Sequence, residues 1–192
     1  MKLALFGYGG HAREVAAQIG KPVTFYVDDQ YANDIAKPIS KFNPEEEGLI
    51  VAVANSKDRK KIIKKLPPNT QYFTFIHPTV QIMGDDIKVG VGSFIGMNTI
   101  LTTNIELGEH TILNRGNQIG HDCIIGDYFS AMPGAIVSGN VIIGDCVYLG
   151  TNSSIKEKLN ISNGVTIGLN SGVVKDINKE GIFGGCPAKK IK

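Results

Sequence analysis

The sequence predicts a small α/β half-domain, Rossmann-like with a parallel sheet, over residues 1–76, and a parallel β-helix with a C-terminal tail over residues 77–192. Two observations predict it. The first third alternates strand and helix signals around a glycine-rich loop, and from Val89 onward every sixth residue is aliphatic.

In the front third, residues 3–6 (LALF) read as a buried strand. The loop GYGGHA follows, and Ala12, Val15, Ala16 and Ile19 then share one helical face that Gly20 stops. Residues 23–27 give a second strand ending at Asp28 and Asp29. Residues 49–53 give a third, before a basic helix capped by Ser56 and ended by Pro67, and residues 72–76 give a fourth. Such alternation places a ligand crevice at the carboxyl ends of the strands. An acidic pair about 20 residues beyond the glycines suits a nucleotide. Ala12, however, stands where a dinucleotide loop carries its third glycine, so a mononucleotide borne by a sugar fits better than NAD.

In the remainder, the sixth-residue series runs Val89, Ile95, Leu101, Leu107, Leu113, Ile119, Ile125, Ala131, Val137, Ile143, Leu149, Ile155, Ile161, Ile167, Val173. Only Ala131 departs from Val, Ile or Leu. Neither a helix nor a simple strand has this period. Three flat sides of six residues make a coil of 18, with the aliphatic residue inward on each side and residues 18 apart stacked at roughly 4.8 Å. Glycines at 90, 96, 108, 120, 126, 144, 150 and 168 are expected to be the sharp corners. The period does not fix the hand of the coil.

A net charge of +2 over 192 residues is too small for a nucleic-acid footprint. The opening MKLALFGYGG has neither a signal-peptide core nor a membrane span, so a cytoplasmic location is expected. Cys123, Cys146 and Cys186 are odd in number and far apart, which predicts buried free thiols.

Among the four histidines, His121 is the candidate base, because Asp122 follows it and can orient an imidazole. One coil above stands Gly139, whose backbone N–H can face an acyl oxygen. His110 and His121 fall near different corners and lack a third convergent ligand, so no metal is expected. A zinc-dependent carbonic anhydrase and a non-catalytic β-helix that only binds ligands are the readings from other classes.

GYGGHA, the pair Asp28 and Asp29, NRGNQIGHDCIIGD and the closing GGCPAKK together resemble the PglD/NeuD-like family of bacterial sugar acetyltransferases over nearly the whole chain. The resemblance implies a left-handed coil, a homotrimer, acetyl-CoA lying between adjacent β-helices, and a nucleotide-linked amino sugar held by the N-terminal domain. It implies N-acetylation of a 4-amino-deoxysugar; O-acetylation of a sialic acid or related sugar stays open. Matched position by position, His121 is the general base and Asp122 its acidic partner. Gly9, Gly10, His11, Asp28, Asp29, Asn114 and the Ala54 backbone fall on the nucleotide-sugar site. Gly139, Thr151 and Leu169 fall on acetyl-CoA. Ser130 stands where the family often carries a second histidine, and is counted with Gly139 as an acetyl contact.

Overall fold

A computed structural model describes residues 1–192. The N-terminal domain runs β1 (Lys2–Phe6), α1 (Gly10–Ile19), β2 (Thr24–Val27), β3 (Ala36–Pro38), β4 (Glu47–Val51), α2 (Ser56–Ile63) and β5 (Gln71–Tyr72). Its strands are all parallel, in the order β3-β2-β1-β4-β5. The order reverses between β1 and β4, where α/β sheets open a crevice. Helix α1 buries Ala12, Val15 and Ile19, and ends at Gly20, which turns left-handed (φ 63°) and donates to Ala16.

Two expectations need correction, and one strand was not anticipated. The strand expected over residues 72–76 is divided: Tyr72 finishes the first sheet, while β6 (Phe75–Ile76) pairs with Phe94–Ile95 and begins the β-helix. The cause is the Phe75 ring, which stacks on Phe94 with centroids 5.8 Å apart. Helix α2 is capped by Asn55, whose side chain accepts from Asp58 N–H at 3.0 Å; Ser56 instead donates its hydroxyl to Val147 O across the domain seam. Edge strand β3 has no periodic signal, and it ends in Pro38, tolerated because an edge strand needs fewer donors.

The rest of the chain coils through three parallel sheets. Face 1 stacks Phe75–Ile76, Phe94–Ile95, Ile112–Leu113, Ser130–Ala131, Tyr148–Leu149, Thr166–Ile167 and Ile182–Gly184; face 2 includes Ile100–Leu101, Gln118–Ile119 and Ile136–Val137; face 3 includes Ile105–Leu107, Cys123–Ile125 and Ile142–Ile143. Pairing such as Leu101 with Ile119 and Ile119 with Val137 holds the 18-residue register. From Ile95 to Val173 the whole sixth-residue series lies in one buried core. Burying each Leu or Ile side chain contributes roughly 1.5–3 kcal/mol. A second inward column, two residues earlier on each side, adds Cys123, Phe129, Val141 and Val147.

The corners work differently from expectation. The eight glycines after the aliphatic positions do not take up the left-handed turn; that falls two residues later, in steps of six from Gly92 and Asn98 to Asn170. Asparagine tolerates this conformation better than other side chains. The glycines are required instead by the next coil: a methyl on Gly120 would lie 2.7 Å from Gly139 N, and one on Gly150 2.6 Å from Leu169 N.

The N-terminal domain sits on face 1. Phe94 and Ile112 point outward there, yet are 0% and 1% exposed because α1 covers them. Cys123 and Cys146 are buried free thiols as expected, and burial pushes the Cys123 thiol up. Cys186 is exposed, against expectation, because it lies in the tail beyond the last coil. No helix is long and apolar enough to cross a membrane.

Candidate active site

Each coil passes face 1, face 2 and face 3, leaving three ridges. His121 lies on the ridge between faces 2 and 3, immediately after Gln118–Ile119 and before Cys123–Ile125. This ridge is opposite face 1. Gly139 stacks on it one coil above, so close that a methyl on Gly139 would lie 2.5 Å from His121 Nε2. Only glycine lets the imidazole lie over the backbone here.

Asp122 fixes the ring from the other side. Its Oδ2 is 2.7 Å from His121 Nδ1, and since a carboxylate only accepts, Nδ1 carries the proton. Nε2 is therefore the lone-pair nitrogen, turned toward Gly139. The Asp122 carboxyl is held below the usual carboxylate range, first by the amide of Asn104 and then by His121. The Gly139 N–H has no acceptor within the chain, while its carbonyl accepts from Lys158 N–H at 3.0 Å. An imidazole lone pair beside a free backbone donor can take a proton and steady a developing oxyanion.

Thr151 and Leu169 are stacked, as their spacing predicts: Asn170 N–H donates to Thr151 O at 2.9 Å. They lie on the ridge between faces 1 and 2, not on the His121 ridge. Face 2 separates the two groups within one chain.

The nucleotide-sugar candidates surround the carboxyl ends of β1, β2 and β4. Gly9 and Gly10 have open space where a side chain would stand. His11 has its Nε2 buried without a partner and its ring edge-on to Phe94, and burial pushes its pKa down. An orphaned buried nitrogen in this crevice is a ready contact for a bound ligand. Asp28 and Asp29 line a cavity of about 440 Å³ walled by Phe6, Ile39, Phe42 and Leu66, with Lys65 at its edge. Asp29 accepts from Ser40 N–H at 3.0 Å, which pulls its carboxyl down. Gly9, Gly10 and His11 do not line this cavity.

Three candidates have other employment. Ser130 is 0% exposed and donates to Ala54 O at 2.8 Å, so it joins the domains and cannot touch an acetyl group. The Ala54 carbonyl is engaged by that bond and by Arg59 at 3.3 Å. Asn114 is buried at the seam with α1, where its Oδ1 accepts from Arg115 N–H at 2.7 Å and its amide approaches Glu14. Sequence reasoning missed Arg59, the largest buried side chain at this seam. It also missed Asn104. The 18-residue ruler could have found Asn104, which is stacked directly below Asp122.

Residues 2–66 match the PglD N-terminal domain family. WeeI from Acinetobacter baumannii AYE superposes with a TM-score of 0.88 at 26% identity, covering 100% of both chains. The chain is similar to the PglD/NeuD-like family. The acetyltransferase domain of PglB from Neisseria gonorrhoeae FA1090, also solved with acetyl coenzyme A, superposes at 0.86 with 28% identity over 99% of each chain. With these likenesses the fold is the expected one, an α/β N-terminal half-domain followed by a left-handed parallel β-helix. GDP-perosamine N-acetyltransferase from Escherichia coli O157:H7 is 33% identical over 108 residues, 56% of this chain and 48% of that protein. The chain thus spans about half the length of that curated relative.

Proposed function

We propose that the chain is an acetyl-CoA-dependent N-acetyltransferase acting on the amino group of a nucleotide-linked 4-amino-deoxysugar. The observation that carries this reading is the His121 imidazole, oriented by Asp122 and set against the free N–H of Gly139. The sugar amine attacks the thioester carbonyl while passing its proton to His121 Nε2, and Gly139 N–H donates to the oxyanion. The carbon–sulfur bond then breaks, and the coenzyme A thiolate takes the proton back from Nε2. No acyl-enzyme is needed, and the buried Cys123 thiol is packing.

The reading includes a homotrimer. His121 projects from the ridge opposite the face that the N-terminal domain covers, so a sugar held by that domain reaches the imidazole of a neighbouring copy. Exposed Ile124, Ile136 and Ile142 flank the ridge and suit burial against that copy. Thr151 and Leu169, on the other ridge, would then meet acetyl-CoA in the cleft between copies.

The test offers acetyl-CoA with a panel of nucleotide-linked 4-amino sugars and with free or CMP-linked sialic acids. Acetylated amino sugar and free coenzyme A thiol form in equal amounts if the reading holds; acetylation of sialic acid hydroxyls alone would overturn it. A second expectation is steric. Gly139→Ala places a methyl against Nε2 and must swing the ring aside, so kcat falls by about 10²-fold, the scale of losing a positioned base, with the thermal midpoint nearly unchanged.

A further inference from the structure

Asp122 and His121 are both half-exposed, with side-chain accessibilities of 44% and 55%. Packing alone does not fix the carboxylate, which could turn to water or offer either oxygen to the ring. Something else divides its oxygens. Oδ2 accepts from His121 Nδ1–H, while Oδ1 accepts from Asn104 Nδ2 at 2.7 Å.

Asn104 is itself locked. It occupies the left-handed corner position one coil below (φ 50°), as Asp122 does in its own coil (φ 59°). Its backbone N–H donates to Asp86 Oδ1 at 2.8 Å, and Thr103 Oγ1 donates to both Asp86 oxygens at 3.0 and 3.1 Å. Asp86, Asn104 and Asp122 thus form a column up the ridge that ends at the base. Asn140, one coil above, is no equal partner, since its amide lies 3.5 Å from a nitrogen that already carries a proton.

We propose that Asn104 is a positioning residue of the acetyl transfer: by holding Asp122 Oδ1 it reserves Oδ2 for His121 Nδ1, and so keeps the Nε2 lone pair aimed at Gly139. This rests on His121 being the base. The supporting electrostatics agree, because the Asn104 hydrogen bond is the largest cause of the lowered Asp122 carboxyl. Charged groups on this ridge are Asp122 beside the ring, Asp85 and Asp86 below Asn104, and Lys156, Glu157 and Lys158 in the coil above Gly139, where Lys156 pairs with Glu157.

The experiment compares the full-length protein with Asn104→Gly, which keeps the corner but lacks the donor, and Asn104→Asp, which replaces the donor with a charge. Kinetics are read alongside nitrogen-15 spectra of the imidazole, with the His121 signal assigned by its loss in His121→Ala. In Asn104→Gly, kcat falls about tenfold, within the range a misaligned base loses, with both KM values unchanged, and the fixed Nδ1–H tautomer becomes a mixture. In Asn104→Asp, the added carboxylate favours the imidazolium, so the acid limb of the kcat/KM profile moves up by about one pH unit. An unchanged tautomer and titration in both variants overturns the proposal. Wild-type activity in His121→Ala instead overturns the reading beneath it, so the two failures appear in different variants.

Discussion

His121→Ala lowers kcat by roughly 10² to 10⁴-fold while the KM for acetyl-CoA and the thermal midpoint stay near wild type. The size follows from what the substitution removes. The only general base against Gly139 is lost, while the backbone donor and the crevice remain. Stability is spared because the side chain stands on an open ridge at 55% accessibility and its sole side-chain bond of normal length is to Asp122. The acid limb of the activity profile should vanish with it. Asp122 cannot supply that limb, since its carboxyl is already pulled below the usual range and stays ionised throughout the working pH. Steady-state kinetics on purified protein, with folding checked by thermal melting, test this; a variant with wild-type kcat removes His121 from the mechanism.

Much of this site was legible in the chain because the β-helix converts sequence distance directly into space. One period identified the inward column, stacked Gly139 on His121 and put Thr151 below Leu169. What the period alone does not announce is which outward face of the coil a second domain covers. The residue before each inward position on face 1 points outward, and the column Phe75, Phe94, Ile112 there announces a covered face. Ser130 belongs to that column, which is why it joins the domains instead of touching a ligand. A glycine after each inward residue suggests a turn, whereas its use here is close approach between coils, a distinction that needs the neighbouring coil in place. The seam itself left little trace, because a basic residue in SKDRKK reads as a solvated helix face until a second domain buries it.

That residue, Arg59, is expected to matter most for stability: Arg59→Met should destabilise the fold by about 3 kcal/mol, lowering the thermal midpoint by roughly 6–12 °C for a domain of this size. Arg59 is 1% exposed, and its guanidinium bonds only backbone carbonyls. Every donor goes to a carbonyl: Nε to His110 at 2.9 Å, one Nη to Val53 and Ala54 at 2.6 and 3.3 Å, the other to Tyr128 and Phe129 at 2.8 and 3.0 Å. Burial pulls its pKa down to about 9, still above neutral, so the charge is present. Burial of the His110 ring, stacked beneath Tyr128, and then the nearby Arg59 charge push that imidazole down to about 4. Removing a buried, unpaired charge recovers desolvation energy, which favours the variant. Against this, the carbonyls of Val53, His110 and Tyr128 have no other partner in the chain, and each buried acceptor left unmet costs about 1–3 kcal/mol. The second term wins because methionine cannot bond any of the three, and they belong to rigid backbone in two domains. A melt within a degree of wild type would mean that water replaces the guanidinium at little cost, and that the apolar contacts of Phe94 and Ile112 and the remaining hydrogen bonds hold the seam without it.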